Sequence, residues 1–115
     1  VNGNEGARLE NIFAVSLLKH VRFVNDTTAR GLSLAYLRNK DGREVDFVLA
    51  EGDKVQELIE VKVADANPSS GLKYFRDRFF PATRCGQAVM RLRREQNLTG
   101  IEIREAASYL SELAA

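Results

Sequence analysis

Apolar residues recur near the start of the chain at a helical interval. Leu9, Phe13, Leu17 and Val21 fall four positions apart and draw one stripe along residues 7–22, which predicts an amphipathic helix. The polar run "NDTTARG" at 25–31 predicts a turn. From residue 32 the interval shortens, and "LSLAYLRN" reads as a strand rich in residues that suit a pleated sheet. "KDG" at 40–42 marks a hairpin, because Asp and Gly tolerate the positive φ such turns require. Strands follow at 44–50 and 55–63, joined by "EGDK". Beyond "NPSSG" the helical interval returns in "LKYFRDRFF", where Leu72, Phe75 and Phe79 are spaced for one buried face and Pro81 stops the helix. "QAVMRLRR" predicts a fourth strand, "NLTG" a turn, "IEIRE" a short extended segment and "AASYLSELA" a closing helix. The order α-β-β-β-α-β, then a short strand and a helix, predicts an α/β domain: a small mixed sheet flanked by helices, its first three strands an antiparallel meander.

A chain of 115 residues suffices for one core and not for two. With 44% apolar and 29% charged residues the composition is that of an ordinary soluble globular chain. Seventeen basic and sixteen acidic residues leave a net charge of +1, so any surface for nucleic acid has to come from local clustering. The single Cys85 excludes an internal disulfide framework, suits a reducing cytoplasm and is read as inert packing. No apolar run reaches membrane-spanning length and no signal-peptide pattern is present, so no membrane partner is expected. A phosphate-binding G-x-x-x-x-G-K-[ST] loop is absent, so these residues are not expected to hydrolyse ATP. The chain begins "VNGNEGARLEN" without Met and is expected to be a fragment of a longer polypeptide.

The chemistry concentrates in "EVDFVLAEGDKVQELIEVKV", residues 44–63. Alternation places Glu60 and Lys62 on one face of the third strand, with Ile59, Val61 and Val63 on the other. In the second strand Val45, Phe47 and Leu49 share a face, and Asp46 and Val48 share the opposite one. A hairpin closing around Gly52 to Lys54 sets Asp46 opposite Glu60, with their Cβ atoms ~5 Å apart. Two carboxylates that close repel unless a cation intervenes, and a divalent metal is one solution. The plain alternative is a solvated polar face, which the hairpin taken alone favours. Glu10 shifts the balance. On a helical wheel it falls within the stripe of Phe13, Ala14, Leu17 and Val21, away from Asn11, Ser16 and Lys19. A carboxylate there is costly unless satisfied, although a place near the helix start would also favour its charge. Together, Glu10, Asp46, Glu60 and Lys62 make a candidate site.

An acidic residue on a first helix, an Asp in the second strand and Glu-x-Lys in the third resemble the PD-(D/E)xK nuclease superfamily, whose shared core is α-β-β-β-α-β. The closer similarity is to the uncharacterised C-terminal domain of prokaryotic AAA-type ATPases, carried by "GARLEN", "VDFVL" and "IEVK" in that order and extending from about Gly6 to Leu113. Val45 stands where the superfamily name has Pro, a residue that is not a ligand. The resemblance implies a restriction-endonuclease-like fold for residues 1–115, a single nuclease-like domain attached to an upstream ATPase module, which alone would bind ATP. It implies that Asp46 and Glu60 supply oxygen ligands for Mg²⁺ or Mn²⁺, with the Val61 carbonyl and several waters, and that Glu10 holds the ion through water. Lys62 would position or deprotonate the attacking water and offset developing charge on a DNA or RNA phosphodiester. Lys73 on the second helix, and Arg91 and Arg93 in the densest basic stretch together with Arg94, are candidate contacts to the nucleic-acid backbone. A solvated lysine and a charged edge strand are the alternatives there. His20 is read as structural. Two further functions stay open: a non-catalytic module that keeps this fold for homo-oligomerisation or for regulating the ATPase, and a plain interaction domain.

Overall fold

The computed structural model describes residues 2–114. They form helix α1 (Asn2–Thr27), strands β1 (Leu32–Arg38), β2 (Glu44–Glu51) and β3 (Lys54–Lys62), helix α2 (Ser70–Phe79), strands β4 (Arg84–Val89), β5 (Gln96–Leu98) and β6 (Ile101–Glu105), and helix α3 (Ala106–Ala114). The strands make one mixed sheet in the order β1-β2-β3-β4-β6-β5. The meander β1-β2-β3 is antiparallel, β4 lies parallel to both β3 and β6, and β5 closes antiparallel on β6. The expected α/β architecture is present, with α-β-β-β-α-β as its first six elements.

Both faces of the sheet are covered. Leu9, Phe13 and Leu17 of α1 join Ala106 and Tyr109 of α3 over Leu49, Ile59 and Val61. On the other face Leu72 and Phe75 of α2 pack on Val45, Val48, Leu58, Val89 and Ile103. Central β3 therefore feeds Leu58 to one core and Ile59 to the other, as expected of a strand buried on both sides. Among the described residues no helix is long and apolar enough to cross a membrane.

Several sequence expectations need correction. Helix α1 does not give way to a turn at residue 25 but continues to Thr27, because Val24 extends the buried stripe by about one turn beyond Val21. The polar residues close that helix: the hydroxyls of Thr27 and Thr28 donate to the Phe23 and Val24 carbonyls at 2.7 Å each. Asn25 brackets Leu32 by exchanging two bonds with its backbone, and so sets β1 against the end of α1. Phe79, expected on the buried face of α2, is exposed and leans on Tyr74, Phe75 and Phe80, while the half-buried Phe80 packs onto the core. Strand β4 starts earlier than expected and ends at Val89, so Arg91, Arg93 and Arg94 lie in the connection that follows it rather than on a strand. Residues 96–98 are strand, and only Thr99 and Gly100 make the turn, both with positive φ (53° and 86°), as a tight two-residue hairpin loop demands.

Val45 also departs from the expected alternation. Opposite β1 the pairing passes from Ala35↔Val48 to Leu37↔Val45, so β2 carries one extra residue between Val45 and Val48. This bulge turns Val45 to the α2 face beside Val48, and leaves Phe47 and Leu49 facing α1. Asp46 lies within it.

Candidate active site

The pairing Phe47↔Ile59 and Val48↔Leu58, continued by one residue, sets Asp46 opposite Glu60. The two side chains exchange bonds with each other's strand. The Asp46 N–H donates to Glu60 Oε1 at 3.1 Å, and the Val61 N–H donates to Asp46 Oδ2 at 2.9 Å. Carboxylates thus take backbone donors where a bulged ladder would leave them without partners. Lys62, on the same face of β3 as Glu60, brings its Nζ to 3.7 Å from Glu60 Oε2. The alternation pattern anticipated this three-residue convergence.

Glu10 differs from its expected place. The stripe that α1 buries runs through Leu9, Phe13, Leu17 and Val24, and Glu10 lies exposed on its flank. It still belongs to the same electrostatic neighbourhood: partial burial first, then the charges of Asp46 and Glu44, raise its carboxyl, while Lys62 opposes them.

Charge in the site is unbalanced. Glu60 is only 6% exposed, and burial first, then the Asp46 charge, push its carboxyl up to about 7, against the Asp46 N–H and Lys62. Burial also raises the Asp46 carboxyl, opposed by the Val61 N–H and by Lys62. Burial is the largest cause in all three carboxyl groups, neighbouring carboxylates add to it, and Lys62 is the cation that opposes each, so the site disfavours having all of them ionised at once. Among the described residues no group of three or more Asp, Glu, His or Cys side chains is placed to hold a metal ion. The donor set is therefore the Asp46–Glu60 pair. It fits Mg²⁺, which binds through one or two carboxylates and keeps several of its waters. It does not fit ions such as structural Zn²⁺ that need a full protein cage.

Several segments meet here. β2 starts at Glu44, while β3 and β4 end alongside at Lys62 and Val89, whose pairing is prolonged by N–H bonds from Met90 to Lys62 O and from Arg91 to Val63 O. The first turn of α1 is tied in through the paired bonds of Arg91 to Glu5 at 2.8 and 3.2 Å. Helix α2 begins close by, its N-cap Ser69 accepting the Leu72 N–H, and Gly71 lies against the backbone of Glu44. The basic candidates divide. Arg91, Arg93 and Arg94 line a depression just beyond these strand ends. Lys73 is exposed on α2 and makes no ion pair among the described residues.

The sequence reading missed Gln87. It is fully buried on β4, directly beside Glu60 in the parallel register. Its amide donates to the carbonyls of Asp65 and Asn67 at 3.2 and 2.7 Å and accepts the Ser69 N–H at 2.8 Å. Gln87 thereby fixes the loop between β3 and α2, the wall of the site. A lone amide inside the otherwise apolar "CGQAV" was the available signal. Cys85 is buried, and its thiol is pushed up by that burial, in keeping with inert packing. His20 lies away from the site in a groove with Phe23, Leu110 and Leu113.

These features define an α/β domain whose bulged second strand and third strand present a carboxylate pair and a lysine at one end of the sheet. The chain belongs to the family described as a domain of unknown function (DUF4143), whose model matches residues 5–112. No curated protein and no solved structure matches it.

Proposed function

We propose that this domain is a Mg²⁺-dependent nuclease of the PD-(D/E)xK kind, hydrolysing phosphodiester bonds in nucleic acid and normally joined to an AAA-type ATPase module. The observation that carries this reading is the convergence of Asp46, Glu60 and Lys62, with the two carboxylates buried against each other. Asp46 and Glu60 would hold Mg²⁺ or Mn²⁺, with the Val61 carbonyl and, through water, Glu10. The chemistry supplied by such an ion is polarisation of the scissile phosphate and acidification of a water. Lys62 holds the attacking water, accepts or guides its proton, and offsets negative charge as the phosphate becomes five-coordinate. Glu60 keeps the lysine in reach through their 3.7 Å contact. Gln87 acts one step further out, holding the 65–69 loop against the site.

A second reading is a non-catalytic module that associates with other subunits or regulates an attached ATPase. The exposed apolar residues of α1, namely Ile12, Val15, Leu18 and Phe23, favour it.

The test is cleavage of labelled single-stranded, duplex and branched substrates with Mg²⁺ or Mn²⁺, with Lys62→Ala beside the wild type. The wild type is expected to cut at least one of them. Lys62→Ala is expected to lose ~10²–10⁴-fold in rate, the usual contribution of a positioned acid–base group. Its cation-induced rise in melting temperature should persist, because Lys62 serves the water and not the ion. A wild type that binds cation but cuts none of these substrates moves the assignment to the non-catalytic module.

A further inference from the structure

The carboxylate end of the sheet poses a problem for any polyanionic substrate. Glu10, Glu44, Asp46 and Glu60 share one electrostatic neighbourhood with a single lysine, Lys62, and a net charge of +1 offers no general attraction. A phosphodiester strand needs a separate cationic hold nearby. The depression beyond the carboxyl ends of β3 and β4 has the chemistry for it. It measures about 290 Å³; Arg91, Arg93, Arg94 and Gln96 line it together with the apolar Ala64, Ala66 and Leu92, with no carboxylate in its wall. Ala64 follows Lys62 by two residues, so the depression begins within ~7 Å of the lysine along the chain.

The three arginines are not equivalent. Arg91 is anchored by its two bonds to Glu5, and its N–H is fixed to the Val63 carbonyl. Arg93 and Arg94 are exposed and pair with no carboxylate among the described residues. A pinned wall carrying two uncommitted guanidinium groups suits phosphate oxygens, which arginine meets with paired donors. The small Ala64 and Ala66 leave room for a sugar, and the Gln96 amide adds a polar contact.

Building on the nuclease reading, we infer that this depression is the subsite for the nucleic-acid backbone next to the scissile phosphate, with Arg93 and Arg94 as its phosphate contacts. It sets which way the strand leaves the carboxylate pair: out past the loops that follow β3 and β4.

The experiment is fluorescence anisotropy with a short labelled single-stranded DNA in EDTA, over a range of salt, comparing wild type with Arg93→Glu/Arg94→Glu and with Arg93→Gln/Arg94→Gln. Both positions are exposed in a connection, and unchanged melting curves will confirm that the variants fold. The wild type should bind with salt-dependent affinity. The Gln variant should bind at least ~10-fold more weakly, with the slope of log affinity against log salt reduced by ~1.4, the loss of two single-strand phosphate contacts. The Glu variant should be weaker still, and the Mg²⁺ response of melting should be unaltered in both. Unchanged affinity and slope in the variants would overturn the inference. So would binding through these arginines of a phosphopeptide or of phosphatidylserine vesicles while DNA is ignored. DNA binding that depends on Arg93 and Arg94 in a protein that cuts nothing would uphold the subsite and refute the nuclease reading.

Discussion

Glu60→Gln is expected to stabilise the protein by about 3 kcal/mol above about pH 8 without divalent cation, and to change little near pH 4. The Glu60 carboxyl is raised from its ordinary 4.5 to about 7 by burial and then by the Asp46 charge. A carboxyl raised on folding binds its proton more tightly in the folded than in the unfolded chain. Its contribution is therefore complete below about 4.5 and is lost as pH rises through about 7. At ~1.4 kcal/mol per pH unit, that displacement gives the expected magnitude. Glutamine carries no charge in this window. Its carbonyl oxygen can still accept the Asp46 N–H, and its NH₂ can donate to the Asp46 carboxylate. Urea unfolding of both proteins across this pH range in EDTA checks the result. A wild type that holds or gains stability relative to the variant between pH 5 and 8 would show that the ionised pair is already neutralised by the fold. The same geometry argues for amide rather than alanine substitutions here, since alanine at Asp46 or Glu60 would strip an acceptor from the Val61 or Asp46 N–H.

Gly71→Ala is expected to cost about 3 kcal/mol, at the upper end of what overpacking usually costs. A Cβ at Gly71 would overlap the Glu44 carbonyl oxygen and meet Glu44 C and N at 3.2 Å each. The obstacle is backbone, with no flexible side chain to swing aside. Alanine's better helix propensity, worth about 1 kcal/mol, offsets only part of the strain. At ~4–8 °C per kcal/mol for a small domain, the melting temperature should fall by more than about 10 °C. The effect should also reach the site, because Glu44 precedes the bulge that carries Asp46, so displacing α2 weakens cation binding beyond the loss of stability. Circular dichroism melting checks the first expectation, and an unchanged melting temperature would mean that α2 and β2 are less tightly joined than their contact implies.

Asp46, Glu60 and Lys62 were legible in sequence because strand alternation is local. Their register was nonetheless met by a route the pattern did not contain. Glu51 pairs with Lys54 around a two-residue turn at Gly52 and Asp53, and a strict ladder from there would set Asp46 opposite Ile59. The pairing shifts between Ala50↔Val55 and Leu49↔Glu57, and this extra residue, Gln56, restores Asp46 to Glu60. Helix α1 was visible as a stripe, but a wheel drawn from four residues misjudged its axis, and that axis decides whether Glu10 is buried. The end of β4 was not legible. "MRLRR" alternates like a strand, yet β3 finishes at Lys62 and the bonds that prolong its pairing stop at Arg91, so pairing sets the limit where propensity does not. Phe79 is the last residue of α2, and spacing along a helix cannot say that Phe80, just beyond its end, packs onto the core in its place.

Whether Asp46 and Glu60 together bind a divalent cation is decided by calorimetric titration of Mg²⁺ into the protein at about pH 8, with Asp46→Asn as the comparison. The asparagine still accepts the Val61 N–H, so the strand geometry survives while one charge is removed. The wild type is expected to show one saturable Mg²⁺ site and a rise in melting temperature with added ion, because the ligand binds the folded chain, and Asp46→Asn to lose both. No heat of binding and no change in melting at millimolar Mg²⁺, or binding undiminished in Asp46→Asn, would contradict this expectation.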